Sequence, residues 1–169
     1  MDPATYGLIS TLVGVIVGAA ASIVTTIITS RNNLKLQKDG DDLQRVERAR
    51  AFQRNTLLEL QENLQASMRN IGEMHHHDVV SFRKSGEWQK SLLGNELNER
   101  VLKVNQNLSL LTERIADDDL RNKVKVFRDT SSKILFTSSE SEGDTRLSQS
   151  INDFNVLMEQ IGKVLRDNY

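Results

Sequence analysis

The sequence predicts an all-α protein with one N-terminal transmembrane helix, followed by a cytoplasmic antiparallel helical bundle of about four helices. Residues 3–30 carry no charged side chain. At about 1.5 Å of rise per residue, a helix of that length can cross a bilayer core of roughly 30 Å. The chain has a single proline, and apolar residues recur at helical spacing beyond residue 43. We therefore expect two parts, residues 1–38 and residues 39–169.

The membrane helix is expected to begin at the start of the chain, with Asp2 as its N-cap and Pro3 as its first helical residue. No basic residue precedes Arg31. A secretory signal peptide has a basic N-terminus, so this pattern favours an anchor over cleavage within the small residues 19–22. Basic residues follow the apolar stretch, and the positive-inside bias then places the N-terminus outside and the rest in the cytoplasm. The predicted location is a bacterial inner membrane.

Small residues recur every four positions along the membrane helix and form one ridge, which consists of Ser10, Gly14, Gly18, Ser22 and Thr26. Within the ridge, Gly14 and Gly18 form a G-x-x-x-G pair, which lets two helix backbones approach closely. The ridge predicts packing between membrane helices of a homo-oligomer, and a hydroxyl-lined pore is one form of it. The alternative is a lone anchor whose small residues reflect composition.

The residues just after the membrane helix are basic. We expect the first helix to end near Lys38 and the chain to break at residues 39–42, with Gly40 at the helix end and Asp41 capping a second helix over residues 43–82. Near an inner leaflet, cations can bind anionic headgroups. The predicted headgroup contacts are Arg31, Lys35, Lys38, Arg45 and Arg48. For the arginines of the second helix, a solvated helix face is the alternative.

Three further helices are predicted beyond an interruption at residues 83–95, in which Trp88 is expected to pack onto the bundle. The third helix carries apolar residues from Leu97 to Ile115 in four-three alternation, which is typical of a coiled-coil seam. Asp117 and its two neighbours are expected to cap a fourth helix that reaches Ile134. Residues 138–144 are predicted to be a polar loop, and the last helix repeats the alternation over residues 147–165.

One region suggests chemistry. Arg69-Asn70 is followed by His75-His76-His77-Asp78. This order resembles the R-x(4–6)-H motif of HEPN ribonucleases, helical proteins in which Arg and His residues of two subunits promote attack by an RNA 2′-hydroxyl. The resemblance implies that Arg69 stabilises phosphate charge and that His75 or His76 acts as acid or base. The chain has no second such pair, so an active site would need a dimer.

Other chemistries find little support in the sequence. Cysteine is absent, which excludes disulfides and thiol catalysis. Three consecutive histidines on a helix point about 100° apart and cannot converge on one ion. His75 with Asp78 supplies two ligands, short of a closed site. We therefore expect no bound metal and no cofactor. The net charge is −1, which gives no basic field for nucleic acid.

The overall layout resembles a group of small bacterial membrane proteins with one N-terminal membrane helix, an arginine-rich juxtamembrane stretch and a cytoplasmic helical bundle. Residues 54–64, with the sequence RNTLLELQENL, resemble the start of that bundle. The group includes HEPN-like membrane proteins encoded beside RNA-targeting CRISPR nucleases, which assemble into membrane pores. The resemblance implies phage defence by membrane permeabilisation.

Three classes of function follow from the sequence. The first is a self-assembling membrane protein, an oligomeric channel or effector, whose partners are membrane lipid and copies of itself. The second is a membrane-anchored ribonuclease that uses Arg69 and His75. The third is a monomeric anchor that recruits a cytoplasmic protein through bundle faces around Trp88. The absence of a strong catalytic motif favours a non-enzymatic class.

Overall fold

The computed structural model describes residues 3–89 and 93–169, and side chains from residue 14 onward. Most of the described residues are helical and none lies in a strand, so the prediction of an all-α protein is confirmed. The elements are α1 (Pro3–Ser85), α2 (Asn95–Arg114), α3 (Asp118–Ser132), a short 3-10 helix (Lys133–Phe136) and α4 (Glu140–Asp167). The chain divides into two compact units, residues 1–48 and residues 49–169.

Helix α1 runs without interruption through residues 39–42, so the predicted break there is wrong. One exposed glycine inside a helix costs only about 1 kcal/mol, and the local charges offset part of that cost. Lys38 and Asp42 are four residues apart, as are Asp41 and Arg45, a spacing that places opposite charges side by side on a helix. Without a proline, nothing at Gly40 forces the backbone out of the helix.

The start of α1 agrees with the prediction as far as the structure describes it. The first helical residue is Pro3, and Asp2, the predicted N-cap, lies outside the described residues. Side chains from residue 14 to residue 50 are exposed. Within the described part of the chain, α1 is the one helix that is long and apolar enough to cross a membrane, by length and composition.

The second unit has a hydrophobic core to which all four helices contribute. Its largest cluster consists of Leu57, Leu60, Leu64, Leu108, Leu111, Ile115, Leu120, Val124, Phe127, Leu157 and Ile161. A smaller cluster joins Ile71, Met74, Leu97 and Ile134. Each helix contributes residues three, four or seven positions apart, so each buries one stripe of its surface. The predicted apolar spacings therefore supply the core along α1, α2 and α3. On α4 the predicted alternation is wrong in part, because Ile151 is 44% exposed whereas Leu157, which lies outside that alternation, is buried.

The boundaries of α3 and α4 follow from their caps. Asp117 accepts a hydrogen bond from the Leu120 amide at 2.8 Å, which confirms the predicted cap. Ile134 lies in the 3-10 helix, just beyond α3. The predicted loop at residues 138–144 is wrong, because α4 already begins at Glu140. Ser139 caps that helix by accepting from the Glu142 amide at 3.2 Å.

Candidate functional site

The apolar part of α1 presents large aliphatic side chains to its surroundings. Val15, Ile16, Val17 and Ile23 are each about 60% exposed, and Val24, Ile27 and Ile28 are about half exposed. A cluster of this kind on a protein surface marks contact with another protein or a membrane.

The small-residue ridge lies on this same apolar stretch. A Cβ atom added at Gly14 or at Gly18 would meet no atom within 4 Å. The backbone of α1 is therefore open to close approach at both glycines. Ser22 and Thr26 are exposed further along the ridge. The side chain of Ser10, the first predicted ridge position, lies outside the described side chains.

Two threonine hydroxyls on this stretch are satisfied by the helix itself. Thr26 donates to the Ser22 carbonyl at 2.8 Å, and Thr25 donates to the Ala21 carbonyl at 2.9 Å. Such bonds hide the hydroxyl against the backbone and need no water. The ridge near Thr26 is thus compatible with a dry apolar environment.

The predicted headgroup contacts lie on the continuous part of α1 and are all exposed. Measured along the helix axis at about 1.5 Å per residue, Lys38 lies about 10 Å beyond Arg31. Arg45 and Arg48 lie about 21 Å and 26 Å beyond Arg31 by the same rise. The headgroup potential fades within a Debye length of about 10 Å. With headgroups at the level of Arg31 and an upright helix, these two arginines would lie beyond this range.

His75 is a buried residue of the second unit. Its imidazole is 8% exposed, and its Nε2 atom lies 2.8 Å from Oδ1 of Asp144 on α4. The Trp88 ring packs against it edge to face, with ring centroids 6.1 Å apart. His75 therefore fixes α1 to α4, and its burial restricts access for a substrate such as RNA.

Gly143 makes room for this contact. A Cβ atom at this position would lie 2.9 Å from Cε1 of His75 and 3.0 Å from Cζ2 of Trp88. No real side chain can approach these rings so closely without displacing them. Glycine is therefore required by the space beside His75, a role that the sequence did not reveal.

Trp88 packs onto the second unit, as predicted. Its indole N–H donates to the Thr137 carbonyl at 3.1 Å, and its ring meets Phe82 edge to face at 5.7 Å. The neighbouring Gln89 side chain donates to the Ile134 carbonyl at 3.1 Å. The chain leaves α1 through Gly86, whose φ of +72° suits glycine. Trp88 is partly exposed, and the recruitment of a partner through the surface around it stays a prediction.

The structure does not bring Arg69 to His75 within one chain. The two residues are six positions apart on α1, which places them about 120° apart around its axis. Arg69 and His76 are exposed, whereas His75 is buried. The ribonuclease assignment of Arg69, His75 and His76 stays a prediction, and its dimer would need to expose the His75 imidazole.

Near the end of α1, the histidine run meets a carboxylate. Burial raises the pKa of Asp78 above its ordinary value, and positive charge on His77 and His75 acts in the opposite direction. The Nδ1 atom of His77 is buried without a hydrogen-bond partner. Across residues 3–89 and 93–169, no group of three or more His, Cys, Asp or Glu side chains could hold a metal ion.

Comparisons with protein families, with curated proteins and with solved structures find no match to this chain. The function proposed below is therefore inferred from the geometry of the chain's own residues.

Proposed function

We propose that this protein crosses a membrane once, through the apolar part of α1, and assembles there through the small-residue ridge. The observation that carries the proposal is the exposure of the aliphatic side chains over residues 15–28. In water these side chains would be costly at roughly 25 cal/mol per Å² of apolar surface, whereas a bilayer core accepts them.

Assembly is supported by the form of the ridge. Lipid tails are as apolar as leucine, so membrane helices associate through close packing and hydrogen bonds rather than through the hydrophobic effect. Gly14 and Gly18 leave the backbone open, and Thr26 keeps its hydroxyl within its own helix. At Thr26 the ridge can thus pack against a second copy without leaving that hydroxyl unsatisfied.

Orientation and lipid contacts follow from the basic residues of α1. Arg31, Lys35 and Lys38 lie within about 10 Å of one another along the helix, within reach of one layer of anionic headgroups. We assign headgroup binding to these three residues and a solvated helix face to Arg45 and Arg48. The positive-inside bias then places residues 49–169 in the cytoplasm.

We further infer that residues 49–169 form an antiparallel four-helix bundle. Support comes from hydrogen bonds between neighbouring helices. Along α1 the bonded residues rise from Gln53 to Asn63 to Glu73, while along α2 they fall from Arg114 to Asn107 to Arg100. The same reversal relates α1 to α4, with Arg54 bound to Asn168 and His75 bound to Asp144.

Cysteine labelling tests the membrane crossing. The chain has no cysteine, so Thr5→Cys and Ser148→Cys each introduce a unique label site. With a membrane-impermeant maleimide on intact cells, we expect labelling at position 5, and labelling at position 148 only after permeabilisation. Equal labelling of both positions in intact cells, or loss of the protein from membranes in alkaline carbonate, would contradict the proposal.

Disulfide crosslinking tests the ridge itself. Ser22 lies on the ridge, and Ala20 lies about 160° away around the helix. We expect membranes containing Ser22→Cys to give covalent dimers on oxidation, and membranes containing Ala20→Cys to give few. Equal crosslinking at both positions would mean that α1 associates without a preferred face.

The channel and the role in phage defence rest on the resemblance of the overall layout and stay predictions. The recruitment of a cytoplasmic protein also stays a prediction. Because the Trp88 indole is already hydrogen bonded within the chain, other exposed groups such as Phe136, which is 81% exposed, would have to carry that contact.

A further inference from the structure

A polar cavity lies within the second unit, between α1, α2 and α3. Its volume is about 60 Å³. Its buried wall includes Ser67, Asn70 and Ser131, each less than 10% exposed. Arg128 and the exposed Asn105 line it toward the surface. The cavity lining includes neither the apolar residues 14–30 of α1 nor His75 and Asp144.

Two of the buried polar groups in this wall have no hydrogen-bond partner in the protein. They are the Asn70 side-chain amide nitrogen and the Ser131 hydroxyl. An unsatisfied buried polar group costs about 1–3 kcal/mol, so two beside one cavity point to a bound group that accepts hydrogen bonds from them. The amide nitrogen can only donate, and the bound group must therefore offer an acceptor.

The charge around the cavity has one sign. Arg128 is the one charged residue among those that line it, and no Asp or Glu belongs to that set. The Nη2 atom of Arg128 donates to the neutral Ser109 hydroxyl at 3.0 Å. Within the described part of the chain, no carboxylate oxygen lies within 4 Å of the Arg128 guanidinium, although the charge of Arg128 contributes to lowering the pKa of the exposed Glu113. A guanidinium that no carboxylate contacts directly, beside two donors, favours an anion.

The size of the cavity limits the anion. A single water needs roughly 10–15 Å³ of such a space, whereas a cavity of about 150 Å³ can hold benzene. A volume of about 60 Å³ therefore fits about four heavy atoms. Planar oxyanions of this size match the fork of a guanidinium.

We propose that this cavity binds a small planar oxyanion, a carboxylate or carbonate group of about four heavy atoms. One oxygen accepts from Arg128, and another accepts from the Asn70 amide and the Ser131 hydroxyl. Acetate, bicarbonate and nitrate share this chemistry. Binding joins α1 to α3 and stabilises the folded second unit, independently of assembly in the membrane.

Thermal unfolding of the full-length protein in detergent tests this proposal, with fluorescence of the single tryptophan as the readout. Acetate, bicarbonate and nitrate are each titrated to about 50 mM at constant ionic strength against chloride, an anion of the same charge that lacks a planar set of oxygen acceptors. We expect the unfolding temperature to rise by several degrees with the planar oxyanions and a half-saturation on the order of millimolar.

Three variants locate the site. Arg128→Gln should weaken the response roughly tenfold, and Ser131→Ala should weaken it about fivefold. Lys103→Gln removes an exposed cation of α2 that adjoins the lining residue Val104 without lining the cavity itself, and it should respond like the wild type. Equal effects of acetate and chloride, or an unchanged response in Arg128→Gln, would overturn the proposal. A response lost in Arg128→Gln but intact in Ser131→Ala would place the anion on the surface and also overturn it.

Discussion

The two units of this chain treat apolar side chains in opposite ways. In residues 49–169, leucines such as Leu60 and Leu64 are fully buried against other helices. Over residues 15–28, aliphatic side chains of similar size are about half exposed or more. Both sets lie on the same continuous helix α1. The difference teaches that helix formation alone does not decide where a residue is buried, because a partner surface must also be present.

The largest difference between the two units is expected when a buried core residue is truncated. Leu64→Ala removes a side chain with no exposure, and we expect a loss of about 2–5 kcal/mol in the free energy of unfolding. The matched change Ile16→Ala, on the exposed part of α1, should leave this quantity nearly unchanged. Urea unfolding followed by fluorescence of Trp88 measures it. Equal losses in both variants would mean that residue 16 is also covered.

A second prediction compares two glycines on α4. Gly143→Ala forces a methyl group against His75 and Trp88, and we expect a loss of about 1–3 kcal/mol with a shift in the tryptophan emission. The nearest atom to a Cβ at Gly162 is the flexible end of Arg166, at 3.5 Å. Gly162→Ala should therefore be neutral or stabilise by up to about 1 kcal/mol. A Gly143→Ala variant as stable as the wild type would show that the rings move aside freely.

A third prediction concerns the helix caps of the second unit. Asp117→Ala and Ser139→Ala each remove an acceptor from a helix N-terminus, and each should cost about 1 kcal/mol. Asp117→Asn and Ser139→Thr keep an acceptor and serve as controls that retain most of the stability. Should the alanine variants match these controls, water would be replacing the caps at no cost.

The smallest effects are expected from pH. Hydrogen bonds from the Ser138 backbone and hydroxyl lower the pKa of Glu142 below its ordinary value of 4.5. Its contribution is therefore present above that ordinary pKa and is lost as the pH falls through the lowered one. Burial raises the pKa of Asp78, so protonation of this carboxyl favours the folded state as the pH falls.

The two carboxyls thus predict opposite signs at neutral pH. Glu142→Gln should lower the unfolding temperature at pH 7 and reduce the drop in unfolding temperature between pH 7 and pH 4. Asp78→Asn should raise the unfolding temperature at pH 7. Thermal unfolding at pH 7 and pH 4 tests both variants. If both variants shift the unfolding temperature at pH 7 in the same direction, the roles given to the Ser138 hydrogen bonds at Glu142 and to burial at Asp78 would be contradicted.

The sequence predicted those features that depend on spacing along one helix. The core stripe of α2 and the cap at Asp117 are of this kind, because periodicity and capping are local. The stripe of α4 was predicted only in part, since Ile151 is exposed and Leu157 is buried instead. The early start of α4 also has a local signal in the sequence, because Ser139-Glu140-Ser141-Glu142 has the S-x-x-E form of a capping box. The predicted break at residues 39–42 was wrong because a glycine and three aspartates reduce helix propensity without preventing a helix.

The contacts between helices were harder to predict, because they join residues far apart in the chain. Asp144 is 69 positions from His75, and nothing in a single sequence pairs them. The same holds for the cavity between Asn70 and Ser131. The ridge from Gly14 to Thr26 was readable because a helix of fixed pitch places every fourth residue on neighbouring positions.

In the proposed assembly, the exposed apolar part of α1 is covered by copies of itself in a membrane. The most direct test is the mass of the full-length protein in detergent, measured by light scattering corrected for bound detergent, for the wild type, Gly14→Leu with Gly18→Leu, and Ala20→Leu. Leucine favours a helix more than glycine does, so the double variant should still fold. We predict a defined oligomer for the wild type and for Ala20→Leu, and a smaller species for the double variant. A monomeric wild type, or an oligomer of unchanged mass in the double variant, would contradict the account.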